Sequence, residues 1–508
     1  MSIGCRISVH FTPALEEVSE MLNENKDARV MTPELCRRWI SDRVFPLQPE
    51  SYRSQHPNYP GAVGLEIEML PVVSKGGTER PERVPLQGQS GSLASVLRVI
   101  AKNEGWRTLD DPSTKPPMLM GVLLDHDDNL SFEPGGQLEF SSKPYACLTE
   151  AMARTKSIQE ILDRELARHA GISLLQVGIN PWHSVDEIGL QMPKPRYRAM
   201  NEFFSKISSF GPRMMRQTCT VQVNLDFGPH ETTMAKRFLA SMLLAPFSGA
   251  IFNYSAFESG KVLDVTGYRQ RVWRHLDPSR TDIPSLSYLS QKLDKTACVD
   301  TWFDFVMNAR VVFVTNDDYR VVHERVTWRQ WMEQGIGGKY PDQNDFEVHL
   351  SLLFPEVRAK GFLELRSVDC QSRIWQFAPA AWWTGLLYDS RTLDKVLETL
   401  NPYMSNINEL LGLSERGLKD PRIHKLANKL IALAQDGLKR LPSCYFGDGA
   451  LKTLSVFADH FVNRGRVPAD DLIEEFCRRG RLDVECFRIL ENRWSEVIAK
   501  ADDPEALL

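Results

Sequence analysis

Glu133 and Glu139 flank a Pro134-Gly135-Gly136 turn in the stretch Ser131-Phe-Glu-Pro-Gly-Gly-Gln-Leu-Glu-Phe140. Pro134 fixes one backbone angle and the two glycines permit the positive φ values that a tight turn can require. Beyond the turn, Gln137, Glu139 and Ser141 alternate with Leu138 and Phe140. Successive strand side chains point to opposite faces, so this run presents polar groups on one side and apolar groups on the other. The two carboxylates can thus return to one patch. Taken alone, a surface turn feeding a half-exposed strand explains the pattern as well.

Three further segments repeat it. Gly64-Leu-Glu-Ile-Glu-Met-Leu70 places Glu66 and Glu68 on one strand face. In Thr218 to Phe227, Thr218, Thr220, Gln222, Asn224 and Asp226 share a face opposite Cys219, Val221, Val223, Leu225 and Phe227. Phe362-Leu-Glu-Leu-Arg-Ser367 sets Glu364 and Arg366 in step. If these strands form one antiparallel sheet, its back packs on helices and its front gathers acids. Like charges that close raise one another's pKa unless a cation compensates. Several hard carboxylate oxygens suit magnesium, which keeps waters and substrate phosphates as its other ligands. Gln222 and Asn224 offer amide groups, and Arg366 offers a planar fork for phosphate or carboxylate oxygens. Solvated amphipathic faces would explain any one strand; four coincident faces favour a metal–phosphate site.

Those strands need elements to hold them. The 508 residues suffice for one large or two ordinary domains, and 42% hydrophobic with 25% charged residues is ordinary globular composition. A net charge of −5 gives no sign of a nucleic-acid partner. The nine cysteines form no CxxC pair and no zinc-spaced cluster, which points to a reducing cytosol. The start lacks an export signal, and the apolar run Phe238 to Phe252 is too short and interrupted to span a bilayer. A cytoplasmic protein without a membrane partner is expected.

Helical spacing predicts helices over 12–45 (Pro33 opening the second), 146–168, about 197–208, about 231–249, a short one at 346–354, and from about 374 to the end. Strands are expected at 118–125 and 172–179, loops at 48–60, 73–88 and 254–300, and strand-like runs mixed with loop over 301–338. No P-loop, dinucleotide fingerprint or GxSxG elbow occurs. His126, His183 and His349 are dispersed and read as surface or structural; Trp375, Trp382 and Trp383 read as core. Arg269 and Arg280 lie in a basic segment that suits either a solvated loop or phosphate contact.

The motifs Phe132–Phe140, Met192-Pro-Lys-Pro-Arg-Tyr197, Thr218–Phe227, Phe354-Pro-Glu-Val-Arg358, Phe362–Arg366 and Ala381-Trp-Trp-Thr-Gly-Leu-Leu-Tyr388 together resemble the plant-like glutamate–cysteine ligases. The resemblance implies an α+β fold of the glutamine-synthetase-like superfamily: an antiparallel sheet forming a funnel-like active site, packed by helices. With the helical spacing at both ends, the expected organisation is an N-terminal helical segment (1–60), a catalytic core (61–390) and a helical C-terminal region (391–508) that packs on the core rather than standing as a separate domain. The implied reaction joins the γ-carboxylate of L-glutamate to L-cysteine, with ATP and magnesium (or manganese), through a γ-glutamyl phosphate, as the first step of glutathione-type thiol synthesis.

By motif position, Glu66, Glu68, Glu133, Glu139 and Glu364 would bind metal with Gln222. Arg366 would steady the transferring phosphoryl group, with Glu364 also in the catalytic set. Gln137, Asn224, Lys194, Arg196, Arg216, Arg269 and Arg280 would contact substrate or ATP. Two departures stand out: Gln217 precedes Thr218-Cys-Thr220 where the family usually has Arg, with Arg216 one place earlier, and Ser367-Val-Asp-Cys-Gln371 replaces small residues and glycines. The alternatives are a ligase of the same family using another amine, a non-catalytic nucleotide or amino-acid sensor, and a guanidino-kinase-like phosphotransferase. The expected assembly is a monomer or homodimer.

Overall fold

The computed structural model describes residues 30–47, 59–74, 80–88, 90–315, 319–447 and 449–501. The helix expected over 12–29 and most of the connector 48–60 lie outside them. Thr32 caps the helix Pro33–Trp39, its hydroxyl accepting from Leu35 N at 3.3 Å. Proline at a helix start loses no hydrogen bond, so the sequence signal and the structure agree.

The architecture follows from β1 (Val63–Val73), a long strand with two sets of partners. The other strands of its sheet before the middle of the chain are β2 (Glu82–Arg83), β3 (Arg107–Asp111), β4 (Met118–Leu123), β5 (Asn129–Phe132), β6 (Leu138–Ser141), β7 (Ile172–Leu175) and β8 (Val221–Leu225). Two hairpins outside the sheet follow, β9 (Phe257–Glu258) with β10 (Lys261–Val262) and β11 (Phe313–Thr315) with β12 (Tyr319–Val321). β13 (Val357–Ala359) and β14 (Leu363–Leu365) return to the sheet. The ten-stranded sheet runs β13-β14-β8-β1-β6-β5-β4-β3, with β2 and β7 on the second half of β1. Its pairings are antiparallel. The α+β expectation holds.

Alternation decides the two faces. Val63, Leu65, Ile67 and Met69 of β1, Val221, Val223 and Leu225 of β8, and Leu363 and Leu365 of β14 are sealed from solvent. They pack on the helices Leu148–Ala170, Glu231–Ile251 and Ala378–Leu387. The second is buried nearly all round from Met234 to Ile251, as expected of an apolar helix without a polar stripe. Helix Pro421–Arg440 crosses Ala378–Leu387 at a glycine contact: a Cβ on Gly437 would lie 1.9 Å from the Gly385 carbonyl oxygen. The C-terminal helices are tied to the sheet by Tyr445, whose hydroxyl donates to the carbonyls of Gly61 and Ala146, and by Trp182 Nε1, which donates to Leu482 O at 2.7 Å. Trp375, Trp382 and Trp383 are fully buried, as the sequence suggests.

The expectation for 301–338 fails in its first part, because the helix Lys295–Asn308 occupies it, capped by Asp294 and buried through Trp302, Phe303 and Val306. β-Branched and aromatic residues there suggested strand; burial against neighbouring helices overrides that weak preference. The 254–300 segment likewise carries short helices, Tyr268–Arg274 and Pro278–Thr281 among them, rather than open loop.

Candidate active site

Register turns the four polar strand faces into a grid. Glu66 pairs with Gln222 on one side and Ser141 on the other. Glu68 pairs with Glu139, which pairs in turn with Ser131. Glu364 pairs with Asn224 on β8 and with Arg358 on β13. Continuing the same register, Arg366 stands beside Gln222, whose Oε1 accepts from Arg366 Nη1 at 2.7 Å. All these side chains share the face opposite the apolar one.

Glu133 enters from the mouth of the β5–β6 hairpin. Its N–H donates to Gln137 O at 3.0 Å, and Gly136 N donates back to Glu133 O at 2.9 Å. Gly136 takes φ +86°, and Gly135 lies so close to the next segment that a Cβ would sit 2.3 Å from Arg216 O. The turn therefore needs both glycines, one for conformation and one for space. It brings Glu133 to Glu68 and Glu139, and carboxylate oxygens of the three lie within 4.8 Å of one another.

The electrostatics match a cation site. Burial, then the neighbouring Glu364 and Glu139, pushes Glu66 up to about 7. Burial and Glu133 push Glu139 up to about 7 as well. Glu68 rises further for the same reasons, burial first and then Glu133 and Glu139, and burial raises Glu133. Local bonds fix orientation while leaving oxygens free. Ser131 and Ser141 hydroxyls both donate to Glu139 Oε1 at 2.9 Å. Thr220 N donates to Glu68 Oε2 at 3.0 Å, and Asn224 Nδ2 donates to Glu66 Oε1 at 2.8 Å. A divalent cation bound by oxygen donors fits this set.

Glu364, expected as a metal ligand and in the catalytic set, has different surroundings. Arg358 grips it as a fork, from Nε to Oε2 and from Nη2 to Oε1 at 2.8 Å. Arg366 Nη1 adds a bond to Oε2 at 3.1 Å, and Lys360 Nζ stands 3.5 Å from Oε1. Burial alone would raise its pKa, but Arg358, Lys360 and Arg366 outweigh that and hold it well below the usual carboxylate range. Its lone pairs already face cations, so its position serves to aim the arginines. Arg366, partly buried, is kept charged by Glu364, Glu68 and Glu66 against the cost of burial.

The remaining candidates divide. Lys194 and Arg196 lie within electrostatic reach of Glu133. Arg196 Nη2 donates to Ser351 Oγ at 2.8 Å, while its buried Nε has no partner. Gln137, Arg216, Arg269 and Arg280, expected at substrate, each bond to the protein, while Gln137 Oε1, Arg216 Nε and Arg269 Nε are buried without a partner among the described residues. Gln137 Nε2 donates to Thr218 O at 2.9 Å. Arg216 donates to Val185 O at 3.1 Å and to Asn201 Oδ1. Arg269 Nη2 donates to Arg366 O at 2.9 Å, and its Nη1 lies 3.9 Å from Asp369 Oδ1. Arg280 is fully buried, with Nε on Asp277, Nη1 on Leu352 O at 2.8 Å and Nη2 on Arg310 O. Buried guanidinium groups need acceptors, and of these three arginines the fold supplies them to every nitrogen only at Arg280. His183 and His349 are buried, and burial lowers them to about 4 and about 3.

Sequence reasoning did not single out Arg358, Lys360, Ser131, Ser141 or Thr220. Arg358 lies in the Phe354–Arg358 motif and alternates in step with Lys360, but only the β13–β14 register sets it against Glu364.

Comparison with known proteins places this site in a family. The model of glutamate–cysteine ligase family 2 matches residues 62–486. The chain is 30% identical over 408 residues to the chloroplastic glutamate–cysteine ligase of Nicotiana tabacum, covering 78% of this chain and 73% of that protein. It is 32% identical over 394 residues to that of Arabidopsis thaliana, covering 76% and 72%. Among solved structures, the glutamate–cysteine ligase of Francisella tularensis in complex with AMP aligns over 87% of this chain and 94% of its own, at 12% identity and a TM-score of 0.49. By the extent of the family match, which takes in every strand of the acidic face, the chain belongs to glutamate–cysteine ligase family 2.

Proposed function

We infer that the protein is an ATP-dependent ligase joining the γ-carboxylate of L-glutamate to the amine of L-cysteine. The observation that carries this reading is the meeting of Glu68, Glu133 and Glu139 within 4.8 Å on the face that also bears Arg366. Membership of the family supplies the substrate pair, and no feature of the site opposes it. We assign metal binding to Glu68, Glu133 and Glu139, with Glu66 and Gln222 beside them. A bound magnesium ion would neutralise charge on the phosphate oxygens of ATP.

The chain's own residues do the rest. Arg366 faces the phosphoryl group as it passes to the γ-carboxylate and offsets the charge that develops there. Glu364 and Arg358 keep that guanidinium from swinging, so little reorganisation accompanies transfer. Lys194 and Arg196, beside Glu133, attract the anionic substrates. Residues 61–390 form the catalytic unit in this reading, with 391–508 as a helical support for its sheet. Among the described residues no helix is long and apolar enough to cross a membrane, and the eight described cysteines are free thiols. Both agree with a cytoplasmic enzyme acting on small molecules.

ADP release measured with ATP, magnesium and L-glutamate, adding single amino acids in turn, tests the reading. Stimulation by cysteine, with γ-glutamylcysteine among the products, is the expected result. Stimulation by a different amine alone would reassign the acceptor. No release with any amine, from protein that binds ATP, would leave a sensor.

A further inference from the structure

One row of the grid extends beyond the residues assigned so far. Arg366 N donates to Glu356 O at 2.9 Å, so Glu356 stands opposite Arg366 just before β13. It is two residues from Arg358 on an extended run and so shares the polar face. Across the sheet the row reads Glu356, Arg366, Gln222, Glu66 and Ser141. Adjacent strands lie about 4.8 Å apart, which puts Glu356 roughly 14 Å from Glu66 along the row. Arg366 lies between them.

Glu356 is unusual for a buried acid. It is 7% exposed, yet among the described residues no side-chain hydrogen bond or ion pair reaches its carboxylate. The charges it feels are those of Arg269 and Arg366, followed by Asp369 and Arg274. Arg269 is turned to Arg366 O and Asp369, and Arg366 to Gln222 and Glu364. Its carboxylate oxygens are not among the sealed, unpartnered polar atoms, so they reach solvent and stay open to a ligand.

On its row neighbour Arg366 lies Trp273, whose ring covers the guanidinium with 5.6 Å between them. The Trp273 Nε1 donor is buried and also lacks a partner. Phe354, two residues before Glu356, packs edge-on against Trp273 at 5.5 Å. The surroundings of the unpaired acid are thus one aromatic wall and the arginine that faces the reacting centre.

Resting on the ligase reading above, we propose that Glu356, with Trp273 and Phe354, forms the acceptor subsite: Glu356 receives the α-ammonium of the incoming amino acid and removes the proton that frees it to attack. The donor occupies the stretch between the acid cluster and Arg366, so an amine held at Glu356 approaches the acyl carbon from the opposite side. Glu356 takes one proton from the ammonium. The freed lone pair forms the C–N bond, and the C–O bond to phosphate breaks with its electron pair on the phosphate oxygen. The second amine proton leaves on the phosphate. The aromatic wall suits a small apolar or thiol side chain, and Glu356 supplies the charge that an α-ammonium needs.

The test compares two acceptors in Glu356→Gln, with Glu356→Asp as a second variant that keeps the charge. Hydroxylamine is largely uncharged near neutral pH and traps the acyl phosphate as a hydroxamate without needing a base. The expected outcome is a loss of at least about 100-fold in kcat/KM for cysteine in the Gln variant, the size of a lost general base. Hydroxamate formation and the KM for glutamate should change less than about threefold, and the Asp variant should recover part of the cysteine-dependent rate. An equal loss of both products, or a raised KM for glutamate in folded protein, would move Glu356 to the donor and overturn the proposal. Should the unaltered protein yield neither hydroxamate nor cysteine-dependent ADP, the ligase reading itself fails instead.

Discussion

The glutamates of the acidic face have unequal surroundings, and mutation should separate them. Glu68, Glu133 and Glu139 face one another with oxygens free, whereas Glu364 is saturated by Arg358, Lys360 and Arg366. Glu139→Gln should therefore raise the magnesium concentration needed for half-maximal rate and cut turnover by at least about 100-fold, as loss of an electrostatic contact to the transition state does. Glu364→Gln should cut turnover comparably but leave the magnesium dependence in place, because it disturbs an arginine rather than a ligand. A magnesium titration of both variants decides this; a shifted midpoint for Glu364→Gln would return it to the metal. Arg366→Lys should lower kcat more than it raises any KM, since a compact ammonium cannot keep the bonds that Nη1 makes to Gln222 and Glu364 and also present further donors in the same plane.

At the level of elements, the β5–β6 hairpin is the most exacting piece. Gly135 sits against the Arg216 backbone with no room for a methyl group. Gly135→Ala should push the hairpin mouth outward, destabilise the fold by about 1–3 kcal/mol and remove Glu133 from its partners. Thermal melting together with the magnesium midpoint would register both effects. A variant with unchanged melting and unchanged midpoint would show that the hairpin has slack. The same contact explains the departure at Arg216 and Gln217: what meets the Pro-Gly-Gly turn is the backbone of 216. Its guanidinium points away to Val185 and Asn201.

Across the whole molecule the acid cluster links ion binding to stability. Glu66 and Glu139 titrate at about 7 in the folded chain without metal, above the usual carboxylate value of about 4.3. The folded state then binds more protons than the unfolded chain between those values. The stabilisation is complete below about pH 4 and is lost as pH rises through about 7. Metal-free protein should accordingly melt at progressively lower temperature from about pH 5 to about pH 8, and magnesium should recover more of it at pH 8 than at pH 5. Glu364 runs the other way, favouring the fold once ionised, but its low pKa puts its effect at more acid pH. Melting curves with chelator and with magnesium across this range would check the sign; a chelated protein with a flat profile would mean that the acids are not coupled to folding.

Period-two alternation in 64–70, 137–141, 218–227 and 362–367 was enough to find the acidic face, since side-chain direction in a strand is a local property. The same holds for the helix start at Pro33, where proline chemistry is local, and for the apolar helix Glu231–Ile251. The sequence by itself thus determined which residues are polar on which strand, and the ordered motifs named the family. It could not determine which strand lies beside which. Only the order β13-β14-β8-β1-β6-β5 sets Arg358 against Glu364, joins Glu133 to Glu68 and Glu139, and stands Glu356 opposite Arg366. Arg269 and Arg280 show the same limit from the other side. A basic residue in a stretch of turns reads as available until packing supplies the carbonyls and carboxylates that claim it. Register and burial are long-range outcomes of packing, so only the tertiary structure separates the three carboxylates that meet one another from the one gripped by Arg358.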